Sequence, residues 1–266
     1  MGEFVGRRTE LRTALTALHA DGPGVLLHGI GGVGKSSLAA ELLRRLGPDT
    51  GVLVSAISQT SPDQLLDEIG RTLLTAFEDE QVRRLATYVR RPSEEWSERL
   101  QALGPLFAQV PVTLLLDNFE DNLDNDQARW TIRDPGLAEF LTAWIRLRGT
   151  HKLLITSRFP FVLPQDAHRR LVVRHLGPLS WAEARKLMWR LPGLDALGAE
   201  DQQRAWTVVG GHPRALEYVD ALLRGGRARF ADVGERLERL VRDRGLLILR
   251  GGWVRGGGWT VRWLRR

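Results

Sequence analysis

Residues 29–36 read Gly29-Ile30-Gly31-Gly32-Val33-Gly34-Lys35-Ser36, and no other stretch of the chain carries as much information. An apolar run, 25–28, precedes it, and a helix-forming run, 37–43, follows it. The spacing G-x-x-x-x-G-K-[ST] between a strand and a helix is that of a phosphate-binding loop. Its glycines let backbone N–H groups turn into one concavity, and the helix adds its free N-terminal N–H groups and the positive end of its dipole. The sequence therefore predicts a site for a nucleoside triphosphate.

The side chains of this loop have distinct expected roles. Lys35 is expected to reach the β- and γ-phosphates, because a compact ammonium fits among phosphate oxygens as a point charge. The hydroxyl of Ser36 is expected to ligate Mg²⁺. The candidate nucleotide-binding residues of the loop and the first helical turn are Gly29, Gly31, Gly32, Val33, Gly34, Lys35, Ser36 and Ser37.

Two later apolar runs end on polar residues that belong to the same chemistry. Run 112–116 ends at Asp117, whose carboxylate is expected at the carboxyl edge of a sheet, where it can hold Mg²⁺. Arg158 follows run 153–155 and is expected to contact the γ-phosphate. Because Asn118 stands in the commonest place for a second carboxylate, the nearby Glu120 is the candidate general base, with a solvent-exposed glutamate as the alternative. The candidate catalytic residues are thus Lys35, Asp117, Glu120 and Arg158.

Composition narrows the class of protein. The 266 residues include no cysteine, which excludes disulfides, thiolate zinc sites and cysteine nucleophiles and is typical of a reducing compartment. No signal peptide is visible at the N-terminus, and no apolar run approaches the ~20 residues of a membrane span. We expect a cytoplasmic protein with no membrane contact.

The formal charge of +6 is concentrated at the C-terminus. Residues 242–266 hold seven arginines and one acid, so this segment alone accounts for the whole excess of positive charge. The rest of the chain is close to neutral, which argues against a nucleic-acid-binding face spread over the fold.

The order of apolar runs predicts three parts. Strand-like and helical segments alternate up to about residue 176, which is typical of a parallel α/β sheet covered on both faces. Helical patterns alone follow from residue 180, over 180–190, 200–210, 213–224 and 230–243. We predict a nucleotide-binding domain over 1–177, a helical subdomain over 178–244 and a basic tail rich in Gly, Trp and Arg over 245–266. Within the first part, we predict a helix from Ser93 to about Gln109 and an irregular acidic stretch up to Asp134.

The second part contains one further candidate. Pro213 stands at the start of a predicted helix, where a proline is common, but a proline can also pack flat on an adenine ring. The preceding His212 has no partnered serine, cysteine or aspartate in the sequence, so we assign it no catalytic role.

Taken together, the motifs resemble those of the STAND class of P-loop ATPases, and most closely the bacterial NB-ARC-type proteins. The resemblance spans about residues 3–240. Its residues are Phe-Val-Gly-Arg at 4–7, the loop at 29–36, Leu-Leu-Leu-Asp-Asn-Phe-Glu at 114–120, Thr-Ser-Arg at 156–158 and Gly-His-Pro at 211–213.

The resemblance implies an α/β P-loop NTPase fold of the ASCE or AAA+ type. It implies a three-layer sandwich with the parallel strand order 5-1-4-3-2, followed by a small all-helical domain like the ARC1 subdomain. Val5 and Arg7 would lie against the adenine, and Pro213 would close over the nucleotide. Such proteins continue into a winged-helix domain and sensor repeats, so the resemblance implies a truncated or minimal member.

Three functions remain open at this stage. The first is a signalling switch that binds ATP or ADP with Mg²⁺, hydrolyses ATP slowly, and self-associates or binds a protein partner in the ATP state. The second is a module that holds nucleotide without hydrolysing it, which Asn118 favours. The third, not favoured, is an AAA+-like ATPase that contacts nucleic acid through the tail.

Overall fold

The computed structural model describes residues 6–20, 22–126 and 129–225. Val5, the predicted helix over 230–243 and the basic tail over 245–266 lie outside the described residues. Within these ranges, no helix combines the length and the apolar character needed to cross a membrane.

In chain order, the first half forms α1 (Arg8–His19), β1 (Gly24–His28), α2 (Lys35–Leu46), β2 (Val52–Ile57), α3 (Pro62–Ala76), α4 (Glu80–Val89), α5 (Trp96–Ala102), α6 (Gly104–Phe107) and β3 (Val112–Asp117). The second half forms β4 (Leu123–Asp126), β5 (Arg129–Ile132), α7 (Pro135–Arg146), β6 (Lys152–Ser157), β7 (Val172–His175), α8 (Trp181–Met188), α9 (Pro192–Asp195), α10 (Ala199–Val208) and α11 (Pro213–Arg224). Short 3₁₀ segments cover Gly47–Thr50, Phe119–Asn122 and Pro164–Arg170.

Five parallel strands form the central sheet, in the order β2-β3-β6-β1-β7. The parallel α/β sheet that the apolar runs predict is confirmed. In register, His28 at the end of β1 pairs with Ser157 of β6, and Leu116 of β3 pairs with Ile155 of the same strand. The ends of β1, β3 and β6 therefore meet at one edge, directly where the loop 29–36 begins.

The core lies on both faces of this sheet, because successive strand side chains point to opposite sides. Val25 and Leu27 of β1 pack with α1 and α2, whereas Leu26 between them packs with the larger cluster beneath α3 and α7. The α3 side chains of that cluster are Leu65, Leu66, Ile69 and Leu73, all fully buried.

Helices α8–α11 have a small core of their own. Leu179, Met188, Leu194 and Leu216 are buried together in it. A capping box at Ser180 and Glu183 begins α8, and the indole Nε1 of Trp206 donates to the carbonyl oxygen of Leu179 at 3.0 Å.

Two local expectations were wrong. The acidic stretch before Asp134 is not irregular, because it contains the antiparallel hairpin β4–β5. Its strands lack an apolar alternation. Leu123 and Ile132, which pair with each other, are buried in the main core, and Trp130 stacks on Phe159 with ring centroids 3.8 Å apart. The helix expected from Ser93 begins at Trp96 as α5, without a side-chain cap, and α6 follows it after Leu103.

The side chain of Asn122 links the turn after β2 to the turn after β3 by hydrogen bonds. Its Nδ2 donates to the carbonyl oxygens of Ser58 at 2.8 Å and Phe119 at 3.3 Å, and its Oδ1 accepts from the backbone N–H of Thr60 at 2.9 Å. Because these backbone groups would lose their partner, we expect Asn122→Ala to lower the free energy of unfolding by about 1–3 kcal/mol in urea denaturation. Asn125→Ala, in the exposed hairpin, is the matched control and should change it little. Equal losses in the two variants would contradict this assignment.

Candidate nucleotide-binding site

The loop 29–36 joins β1 to α2 through backbone conformations that require glycine. Gly34, immediately before α2, has φ +97°, and Gly29 has φ +150°. A Cβ atom on Gly29 would lie 2.3 Å from the carbonyl oxygen of Leu176, so no side chain fits there. Gly34 thus allows the turn into α2, and Gly29 allows the loop to approach Leu176, which follows β7.

Lys35 lies folded along the loop. Its side chain is almost fully buried, and Nζ donates to the carbonyl oxygens of Gly29 at 2.9 Å and Ile30 at 3.2 Å. Burial is the main reason that the pKa of Lys35 lies below its ordinary value; Glu120 and Asp117 act in the opposite direction, and Arg158 lowers it further. An anion placed beside this ammonium would therefore stabilise its charged form.

Ser36 and Asp117 come together from distant parts of the chain. The Oγ of Ser36 donates to Oδ1 of Asp117 at 2.9 Å, and the hydroxyl of Thr156 donates to the same oxygen. A hydroxyl and a carboxylate are the kind of oxygen donors that Mg²⁺ takes in nucleotide sites, so this pair fits the ion.

Glu120 and Arg158 form an ion pair at the same sheet edge. Asn118 has φ +54°, and this left-handed turn directs the chain into the 3₁₀ segment that carries Glu120. Oε1 of Glu120 lies 2.9 Å from Nε of Arg158, and its Oε2 accepts from the backbone N–H of Arg158 at 3.1 Å. The glutamate is 11% exposed and the arginine 58%, so the guanidinium is the more accessible partner.

A cavity of about 780 Å³ lies between these groups and α11. It is lined by Gly31, Gly32, Gly34, Lys35, Ser36, Ser37, Asn118, Glu120, Asp121, Arg158, Pro213, Arg214 and Glu217. The side chains on one wall come from the loop and the sheet edge, and those on the other come from α11.

His212, the residue that caps α11, contacts the loop directly. The Nδ1 of this histidine accepts from the backbone N–H of Ala215 at 3.3 Å, so the hydrogen of the neutral ring lies on Nε2. Nε2 is 2.8 Å from the carbonyl oxygen of Gly31, to which it donates. A Cβ atom on Gly32 would lie 2.9 Å from Cε1 of His212, so the start of α11 packs closely against the loop.

The family model for the AAA ATPase domain matches residues 3–147, more than half of the chain. The chain belongs to the AAA ATPase domain family. No curated protein matches it.

Two solved structures match the chain over 90% of its length. One is a Signal Transduction ATPase with Numerous Domains (STAND) protein with a tetratricopeptide repeat sensor from Pyrococcus horikoshii. It has a TM-score of 0.57 and 16% identity, and the match covers 90% of this chain and 33% of that one. The other is a variant of RuvB from Thermotoga maritima, with a TM-score of 0.49, 14% identity and coverage of 90% and 72%. The chain thus spans about a third of the length of the STAND protein.

Not every predicted residue of this AAA ATPase domain lines the cavity. Val33 points away from it and is 1% exposed in the core. Arg7 is also buried, and its guanidinium donates to the carbonyl oxygens of Val33 at 3.0 Å and Gly177, while its backbone N–H donates to Oε1 of Glu183 at 2.6 Å. Through these hydrogen bonds, Arg7 links the loop to Gly177, which follows β7, and to Glu183 of α8.

The sequence analysis missed four residues of the cavity wall: Asn118 as a lining residue, Asp121, Arg214 and Glu217. Arg214 directly follows Pro213, and Glu217 lies one helical turn after it, so the spacing of the α11 face was the signal that could have found both. Thr156 was quoted only as part of a motif, although it holds Asp117.

His28, the last residue of β1, gives a pH-dependent prediction. The pKa of His28 is lowered from an ordinary 6.5 to about 4, chiefly by burial and in part by the neighbouring His175 and Lys35. Since the unfolded chain binds a proton that the folded chain excludes, stability should fall as the pH drops from 6.5 towards 4. We expect His28→Gln to lose less stability over that range in urea denaturation. His19→Gln, which removes an exposed imidazole, is the control; an unchanged pH profile in His28→Gln would contradict the assignment.

Proposed function

We propose that this AAA ATPase domain is a nucleotide-controlled switch of the STAND, NB-ARC-like type. The observation that carries the proposal is the cavity itself, because one wall is the phosphate-binding loop and the other is the helical subdomain. A nucleotide bound there would contact both parts, so its chemical state would affect how the two parts pack. The observed strand order and the helical unit after residue 178 support the same proposal.

The loop would bind the phosphates. Its backbone N–H groups and the N-terminus of α2 would receive the β-phosphate, and Lys35 would exchange its two carbonyl partners for phosphate oxygens. Ser36 and Asp117 would hold Mg²⁺, which when bound supplies positive charge against the phosphates. Val5 and Arg7 remain proposed for the base side of the site.

Hydrolysis would depend on Glu120 and Arg158. Arg158 would contact the γ-phosphate, whose oxygens match the donors of a guanidinium. Glu120 would accept a proton from the attacking water.

The helical subdomain would report the nucleotide to the rest of the protein. Pro213 and Arg214 line the cavity, and His212 holds the loop. Moving such a switch from about 1:99 to 99:1 needs roughly 5.5 kcal/mol of differential binding between the two states. Contacts of a γ-phosphate with Arg158 and Mg²⁺ would supply part of it, and the opened form would self-associate or bind a protein partner.

A second candidate is a module that binds nucleotide without turnover. It is favoured by Asn118, which stands where a second carboxylate is common, and by the engagement of both Glu120 oxygens with Arg158.

The first test is the nucleotide that the purified protein carries. We expect near-stoichiometric ADP to be released on denaturation, and none from Lys35→Ala, because that change removes the buried ammonium of the loop. Lys186→Ala, on α8 outside the cavity lining, should retain the nucleotide. The released nucleotide is quantified by chromatography. Equal amounts of nucleotide in the Lys35→Ala and Lys186→Ala variants would exclude the proposed site. Retained ADP with no turnover of added ATP would favour the second candidate.

The proposed switch is tested by comparing the shape of the protein in solution with ADP and with an ATP analogue. We expect small-angle scattering to show a larger radius of gyration, or an assembly, with a non-hydrolysable ATP analogue than with ADP. His212→Ala removes the contact between Gly31 and the helical subdomain, so it should shift the ADP form towards the ATP form. His19→Ala is the surface control. Identical curves for both nucleotides in all three proteins would contradict a switch.

A further inference from the structure

The ion pair between Glu120 and Arg158 engages the two residues whose proposed roles require them to face the substrate. Nε of Arg158 is 2.9 Å from Oε1 of Glu120, and the backbone N–H of Arg158 donates to Oε2. Both carboxylate oxygens are therefore held by one residue. In this arrangement Glu120 is directed at the arginine.

The guanidinium of Arg158 also lies over the phosphate-binding loop. A Cβ atom built on Gly31 would be 3.6 Å from Nε and 3.8 Å from Nη2 of Arg158. Lys35 is close enough for the two positive charges to interact, since Arg158 contributes to the lowered pKa of Lys35. A terminal phosphate in the loop would thus arrive beside a guanidinium already paired with a carboxylate.

Two anions would then compete for one cation. A phosphate takes a guanidinium through charge-assisted hydrogen bonds and carries more charge than a carboxylate. Glu120 also has space on its other side, because it lines a second cavity of about 550 Å³ together with Ser58, Gln59, Asp121 and Arg133. The glutamate can therefore leave the arginine without entering the core.

We propose that the Glu120–Arg158 pair is a latch that a γ-phosphate opens. With ADP, or with no nucleotide, Arg158 holds Glu120 and no base is available to water. With ATP, the γ-phosphate takes Arg158 and frees Glu120 for the proton transfer. This inference rests on the proposed function, and it makes hydrolysis competence depend on the presence of the third phosphate.

The test is a double-mutant cycle on nucleotide selectivity, measured by calorimetry with ADP and with a non-hydrolysable ATP analogue, both with Mg²⁺. Glu120→Gln removes the competing anion, so it should raise the affinity for the ATP analogue relative to ADP by about tenfold, which is 1.4 kcal/mol at 25 °C. In an Arg158→Gln background the same change should have no effect on that ratio, because no guanidinium is left to compete for.

Asp121→Asn is the matched control, because it removes one negative charge from the next residue, which lines the same two cavities. Its effect on the ratio should be small and equal with and without Arg158. A gain in the Arg158→Gln background equal to the gain in the parent would show a plain charge effect and overturn the latch. An equal change for ADP and the ATP analogue on Glu120→Gln would overturn it as well.

The same binding measurements distinguish a failure of the proposed function from a failure of the latch. If neither nucleotide binds, or if both bind Lys35→Ala as tightly as the parent, the site itself is wrong. If both bind and depend on Lys35, but the cycle is additive, only the latch is wrong.

Discussion

The parallel pairing of β1, β3 and β6 is the constraint on which the rest of the site depends. Because the strands run the same way and in register, Asp117 at the end of β3 reaches Ser36 and Thr156, and Arg158 follows β6 beside the loop that leaves β1. An antiparallel neighbour would have carried these side chains to the opposite edge. The same register explains why residues 81 positions apart in the chain share a hydrogen bond between Ser36 and Asp117.

Opposite charges balance one another at this edge of the sheet. Lys35 and Arg158 supply two positive charges, and Asp117 and Glu120 supply two negative ones. Each cation interacts with groups of the protein: Lys35 donates to two carbonyl oxygens, and Arg158 forms an ion pair with Glu120. Nucleotide binding at this edge would therefore be an exchange of partners among groups that are already ordered. Such preorganisation lowers the entropic cost of binding, because few side chains remain to be fixed.

The sequence predicts the parts of this arrangement that follow from local pattern. A glycine-rich turn after an apolar run and polar residues at strand ends are sufficient to identify Lys35, Asp117 and Arg158 as neighbours. The contacts of Arg7 and His212 could not be predicted, because they depend on how α1 and α11 pack onto the loop. The hairpin β4–β5 was not predicted for another reason: its strands are short and lack an apolar alternation, and the Trp130–Phe159 stack beside it joins residues 29 positions apart.

Arg7 and His212 make the loop the meeting point of three segments. The guanidinium of Arg7 binds the carbonyl oxygen of Val33, its backbone binds Glu183 of α8, and His212 binds the carbonyl oxygen of Gly31. Hydrogen bonds therefore connect the N-terminal segment, the loop, α8 and the start of α11. A change in the loop on binding phosphate would alter acceptors used by both other segments. If Gly31 turned its carbonyl group away, the Nε2–H of His212 would lose its acceptor and this contact between α11 and the loop would be weakened. In the proposed switch, the backbone carbonyl group of Gly31 would couple the nucleotide site to α11, because His212 donates to it.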